Sequence, residues 1–125
     1  MKTAVQTDRA PAAIGPYQQA VRTEGWLWVS GQLGLDPATG ALAEGFEAQT
    51  RQVFANLTAI LEAAGSTWDH VVKTSVFLAD LNDFPALNAL YQSVVRPPYP
   101  ARETVQVARL PRDARIEISL IAHAP

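Results

Sequence analysis

The chain has 125 residues, 48% of them apolar, with 12 acidic against 10 basic side chains and an isoelectric point of about 5.6. That length fits a single domain spanning 1–125, and the near-balanced charge, with no basic stripe, argues against a nucleic-acid binder. Cysteine is absent, which excludes disulfides, thiolate catalysis and cysteine-ligated zinc; no run approaches the roughly 20 apolar residues of a membrane span, and no signal-like stretch follows Met1-Lys2-Thr3, so a cytoplasmic protein without membrane contact is expected.

A first strand is expected near Thr3–Gln6, followed by a loop rich in Pro, Ala and Gly from Asp8 to Pro16. Gln18–Thr23 and Trp26–Ser30 read as two strands joined by a tight turn at Glu24-Gly25. Asp36-Pro37 and Thr39-Gly40 mark turns in the next loop. Phe46, Val53, Phe54, Leu57, Ile60, Leu61 and Ala64 recur at helical spacing, and Gly65 is a C-terminal stop, so a helix is expected over Phe46–Ala64. Ser66 to Asp69 reads as a short helical turn. Val71–Ala79 is rich in β-branched and aromatic residues and reads as a strand. Asn82 or Asp83 then caps a second helix reaching about Val94, with Phe84, Leu87, Leu90 and Tyr91 on one face. Arg96-Pro97-Pro98-Tyr99-Pro100 is stiff and non-helical. Glu103–Ala108 and Arg115–Ala122 read as two further strands, with Leu110-Pro111-Arg112-Asp113 as a hairpin turn between them. The order β-β-β-α-β-α-β-β gives the fold class α+β, a single sheet with two helices packed on one face.

The other face of that sheet is mixed in character. In the last strand Ile116, Ile118 and Leu120 alternate with Arg115, Glu117, Ser119 and Ile121, and in the strand from Val71 one face carries Val71, Lys73, Ser75 and Phe77. With no helix left to cover this face, it is either solvated or an interface between subunits, and pattern alone leaves both open.

Several kinds of site are missing from the sequence. It has no phosphate-binding glycine loop and no Gly-x-Ser-x-Gly elbow. His70 and His123 are too few and too isolated for a metal site, and Ser30 has no adjacent histidine. What remains is a set of polar residues at strand ends and in loops. Arg102 follows the proline-stiffened segment, and a guanidinium on a rigid approach suits a bidentate grip on a carboxylate; on pattern alone an exposed surface arginine is the simpler reading. Glu117 lies between Ile116 and Ile118. On a wet sheet face it is ordinary, but at an interface its partial desolvation would raise its pKa and fit it for acid–base work. In the expected hairpin Glu117 lies across from Gln106, and alternation places Arg102, Thr104 and Gln106 on one face, so a guanidinium and a carboxylate would line one cleft. Tyr17 either walls a pocket or packs its own loop, Asn88 is a helix position that is otherwise solvated, and Gly31 permits close approach of a ligand to backbone.

Taken together these pieces resemble one family. The carriers are Ala10-Pro11-Ala12-Ala13-Ile14-Gly15-Pro16-Tyr17, Val29-Ser30-Gly31-Gln32, the run Gln49 to Leu57, Val71 to Leu78, Asp83-Phe84 with Asn88 and Tyr91, Pro100-Ala101-Arg102, Val107 to Pro111, and Ile116-Glu117-Ile118. The chain is similar, over essentially its whole length, to the reactive intermediate deaminases of the RidA-like branch. The resemblance implies a fold like that of trimeric chorismate mutase, and a homotrimer whose sheets form a central barrel with active clefts between subunits. It implies cofactor-free hydrolysis of small 2-imino acids and enamines, such as 2-aminoacrylate and 2-iminobutanoate, to 2-oxo acids and ammonia. By position Arg102 matches the residue that binds the substrate carboxylate and Glu117 the one that positions or activates water. Tyr17, Ser30 and Asn88 match pocket residues, and Gly31 and Thr104 match backbone contacts. Gln18 and Glu103 stand where the family usually has serine, Thr104 falls where it has threonine or cysteine, and the usual aromatic before the prolines is absent. Other readings are a specialised deaminase of a larger enamine such as 2-aminomuconate, or a non-catalytic, chaperone-like trimer that binds small carboxylates. The acidic isoelectric point weighs against an RNA-cleaving role.

Overall fold

In a computed structural model describing residues 1–125, the strongest helical pattern forms α1, Phe46–Ala63. Its buried stripe includes Val53, Leu57, Ile60 and Leu61, all 0% exposed. Removing each such side chain from water contributes about 1.5–3 kcal/mol, as an upper bound. The helix ends in a Schellman motif. The Ser66 N–H donates to Leu61 O at 2.8 Å and the Gly65 N–H to Glu62 O at 3.0 Å, with Gly65 at φ +74°, a conformation glycine adopts without strain.

The second helix, α2, is Phe84–Gln92, two residues shorter than expected. Asp83 is its N-cap but does not cap with its side chain; that carboxylate accepts from Arg115 Nη2 at 2.8 Å instead. Asp80 accepts from the Asn82 N–H at 2.9 Å and turns the chain into a short 3₁₀ segment before α2.

Six strands form one sheet: β1 (Thr3–Val5), β2 (Ala20–Thr23), β3 (Trp26–Gln32), β4 (Val71–Leu78), β5 (Ala101–Gln106) and β6 (Ile116–His123), in the order β1-β2-β3-β6-β4-β5. Only β4 and β5 run parallel, linked through α2; every other pair is antiparallel. The sheet is therefore mixed, and both helices pack on one face of it. The core lies between, with Leu27, Val76, Leu78, Ile116 and Ile118 of the sheet at 0% exposure.

Two expectations are corrected. The last two strands do not form a hairpin. Arg112 and Asp113 take left-handed φ values of 62° and 54°, and the chain crosses the end of the sheet to insert β6 between β3 and β4. A strand with Ile116, Ile118, Leu120 and Ala122 buried along one side gains most in the centre, paired on both edges. β5 carries exposed Ala101, Glu103, Val105 and Gln106 and suits an edge. Glu117 thus pairs with Phe77, not Gln106. Val71 also changes side: a bulge between Val71 and Lys73 resets the alternation and turns it into the core, 6% exposed.

The loop after β3 is held against α1 from inside. Asn56, 0% exposed, donates through Nδ2 to Leu33 O at 3.1 Å and to Leu35 O at 3.0 Å. Gly34 lies so close that a Cβ there would sit 2.6 Å from Gln49 O. No helix covers the far face of the sheet, where Trp26, Trp28 and Val105 are 41%, 51% and 42% exposed. No helix is long and apolar enough to cross a membrane.

Candidate active site

Arg102 is the second residue of β5, in register with Thr74 of β4, which is buried on the helix side. Adjacent partners in a sheet share a face, so the Arg102 side chain turns towards α2. There Nη2 donates to Asn88 Oδ1 at 2.9 Å, and Cζ stands 4.8 Å from the Tyr91 ring centroid and 5.5 Å from that of Phe84. Phe84, Asn88 and Tyr91 follow one another at helical spacing, which presents all three on one side of α2. Burial raises the Tyr91 phenol above its ordinary pKa, so it stays neutral. Asn88, Tyr91, Gln92, Tyr99, Pro100 and Arg102 line a hollow of about 320 Å³. With Asn88 engaging one guanidinium nitrogen, the remaining donors of the fork can take a carboxylate.

Glu117 lies on the opposite face. Its register partner is Phe77, and its side chain reaches across Gly31, where a Cβ would stand 2.8 Å from the Glu117 carboxyl carbon. Gly31 sits where the β3–β6 register shifts, between Val29 and Gln32. The Glu117 carboxylate is half-buried, and burial alone pushes its pKa above the usual glutamate range. A carboxyl shifted that way takes up a proton more readily than an exposed glutamate, which suits acid–base work. Next to Gly31, the Ser30 hydroxyl donates to Gln18 O at 2.6 Å. The Tyr17 hydroxyl accepts from the Ile14 N–H at 3.4 Å, and the half-exposed ring borders a second hollow of about 480 Å³ with Lys2, Gln18, Val21 and Ser30.

The structure therefore sorts the expected site residues into two groups. Arg102 and Asn88 stand together on the helix side; Glu117, Gly31, Ser30 and Tyr17 belong to the other. Thr104 follows Arg102 on the helix side, in register with buried Val76, and its Oγ1 is buried without a hydrogen-bond partner. The expectation that Arg102 and Glu117 line one cleft fails within a single chain. β4 separates their strands, and Val105 is the β5 residue level with Glu117. Two strand spacings and three residues put their Cα atoms roughly 14 Å apart, with side chains on opposite faces.

Glu103 turns away from Arg102, as alternation requires. It accepts from the Ser75 hydroxyl and pairs with Lys73 Nζ at 3.1 Å. The Ser75 bond first and Lys73 second hold its carboxyl below the usual range. The two histidines are neighbours rather than isolated, with ring centroids 6.2 Å apart and His123 edge-on to Trp26 at 5.3 Å. No cluster of three metal-ligating side chains exists. The sequence reading missed the aromatic bed under Arg102. The signal was present in the spacing of Phe84, Asn88 and Tyr91, but the apolar face of α2 absorbed the two aromatics as core.

Comparison with known proteins bears on what these groups do. A family model described as Endoribonuclease L-PSP matches residues 7–124. The chain is 49% identical over 125 residues to the 2-iminobutanoate/2-iminopropanoate deaminase of Salmonella typhimurium, covering 98% of each protein. It is 46% identical over 123 residues to the protein of the same name from Mus musculus, covering 98% of this chain and 91% of that one. Among solved structures, RidA from the Antarctic bacterium Psychrobacter superposes with a TM-score of 0.95 at 50% identity, over 97% of this chain and 98% of that one.

Proposed function

The chain belongs to the reactive intermediate deaminase (Rid) family, and from that premise we propose that it hydrolyses 2-imino acids, and enamines that tautomerise to them, to 2-oxo acids and ammonia without a cofactor. The observation that carries this reading is Arg102, held by Asn88 on an aromatic bed at the wall of an open hollow. A fixed guanidinium there suits the carboxylate of a small 2-imino acid.

The site is completed by a second copy of the chain. Arg102 and Glu117 diverge within one chain, and a substrate of a few carbon atoms cannot span them. The uncovered sheet face, bearing Trp26, Trp28 and Glu117, is the surface on which another copy docks, and the assembly is a homotrimer with three clefts. Each cleft joins Arg102, Asn88 and Thr104 of one copy to Tyr17, Ser30, Gly31 and Glu117 of its neighbour.

The reaction asks little of the protein, because imines already hydrolyse in water. Arg102 clamps the carboxylate and presents C2, which lowers the entropic part of the barrier. Glu117 takes a proton as its water attacks C2, and the C=N bond becomes the C–N bond of a carbinolamine. Glu117 returns that proton to nitrogen. The C–N bond then breaks as the hydroxyl oxygen forms C=O, and the hydroxyl proton passes to the departing nitrogen, which leaves as ammonia.

The test is release of 2-oxobutanoate from 2-iminobutanoate generated in situ, with semicarbazide as a competing trap. Wild type should accelerate release and Arg102→Ala should not, a loss of at least about 100-fold. If folded wild type gives no acceleration, general 2-imino acid hydrolysis is wrong, and larger enamines or carboxylate binding take its place.

A further inference from the structure

We propose that Tyr91 is a positioning residue for Arg102: its ring, anchored through the hydroxyl to Thr74, fixes the plane of the guanidinium that grips the substrate carboxylate. The proposal rests on the function above and adds a residue to its machinery.

One hydrogen bond from Arg102 Nη2 to Asn88 fixes a point, and the guanidinium plane can still turn about it. A second constraint is needed for a bidentate grip, because both donors must meet both carboxylate oxygens at once. The Tyr91 ring supplies it, with Cζ 4.8 Å from its centroid, well inside the range of a cation–π interaction. Phe84 lies farther, at 5.5 Å, and is only partly buried.

Tyr91 can hold another group because it is itself held. It is 5% exposed, its hydroxyl lies 2.9 Å from Thr74 Oγ1, and its ring meets Phe54 edge-on at 6.1 Å. Thr74 is fully buried and is the register partner of Arg102. The ring therefore ties α2 to the strand beside the arginine it carries, and helix, strand and guanidinium keep one relative orientation. A phenol that only filled the core would still need a partner for its hydroxyl, but it would not need the cation above its face.

The experiment compares wild type with Tyr91→Phe, which keeps the ring, and Tyr91→Leu, which removes it. Arginine-selective ¹⁵N NMR reads the rate of rotation about the Arg102 Cζ–Nε bond, with signals assigned by their loss in Arg102→Lys. Rotation should be slow in wild type, modestly faster in Tyr91→Phe, which keeps the ring but loses its Thr74 anchor, and several-fold faster in Tyr91→Leu. In parallel, KM for 2-iminobutanoate should rise about five- to tenfold in Tyr91→Leu while kcat stays within about twofold, and Tyr91→Phe should recover most, not all, of that rise. In an Arg102→Ala background Tyr91→Leu should change nothing further. Unaltered Arg102 rotation in folded Tyr91→Leu overturns the proposal, as does a KM that does not move in an active enzyme. If wild type holds Arg102 rigid through Tyr91 yet hydrolyses no imine, the positioning role stands and the proposed function falls. If Tyr91→Leu does not fold, Thr74→Val cuts the anchor and leaves the ring; faster Arg102 rotation supports the proposal and an unchanged rate overturns it.

Discussion

Glu117 sits half-buried in β6 with nothing to compensate its charge, and burial raises its pKa above the ordinary 4.5. The native state therefore binds a proton more tightly than the unfolded chain. The stability linked to that proton is fully present below the ordinary glutamate value and is lost as pH rises through the raised one. Glu117→Gln should melt higher than wild type at neutral pH, on the order of a few degrees, and show no advantage in acid, as scanning calorimetry at the two pH values will reveal. Activity should move the other way. On the proposed mechanism, wild-type turnover should fall as pH drops through the raised value, where Glu117 is protonated, and Glu117→Gln should abolish that limb of the pH–rate profile along with most of the rate. Two glycines separate folding from function at the same scale. In Gly31→Ala the new Cβ's nearest contacts are all on the flexible Glu117 side chain, so the fold should persist while turnover drops by about tenfold or more. In Gly34→Ala it meets Gln49 backbone, and urea unfolding should show a loss of about 1–3 kcal/mol.

The elements of this fold were legible because each is written in a local period. The apolar recurrence of α1 gave its bounds within one residue, and its glycine stop is the Schellman turn that ends it. The strands were placed within about two residues, the usual uncertainty at element ends. What failed locally was the bulge at Val71–Lys73, since an extra residue in one strand is set by its partner and leaves no mark in its own alternation. The loop between β3 and α1 shows a similar dependence on distant groups. Its carbonyls at Leu33 and Leu35 are satisfied by Asn56 inside a helix, where the sequence reading saw only helical periodicity. Asn56→Ala should leave both carbonyls unpaired and cost about 2–3 kcal/mol in urea unfolding, with the Leu33 and Leu35 region the first to lose hydrogen-exchange protection.

At the scale of the whole molecule, strand order was illegible. Leu110 to Asp113 has the composition of a hairpin turn, and whether it closes on the preceding strand depends on the competing edges of β3 and β4, which lie far away in sequence. The same non-local fact divided the site. Arg102 and Glu117 were each marked as candidates from the sequence, but their placement on opposite faces followed from the parallel pairing of β4 with β5. If each cleft takes Arg102 from one copy and Glu117 from another, Arg102→Ala and Glu117→Gln chains, each inactive alone, should regain activity when refolded together. Random mixing in equal parts should rebuild about a quarter of the clefts, and recovery of none would place both residues in one copy's cleft or dismiss one of them.

The position of β6 also has a consequence for how the molecule comes into being. Translation delivers β1 to β3 and then β4 and β5, and the strand that joins these two groups comes after all of them. Until Ile116–His123 is available, the inner edges of β3 and β4 are bare, and the nascent chain carries two open ribbons with no shared sheet. Pairings such as Trp26 with His123 close more than three-quarters of the chain into one loop, so folding should be slow for a protein of this size, and the waiting edges should recruit chaperones or one another. A chain truncated after Ala114 should be found in aggregates, not as a smaller folded species.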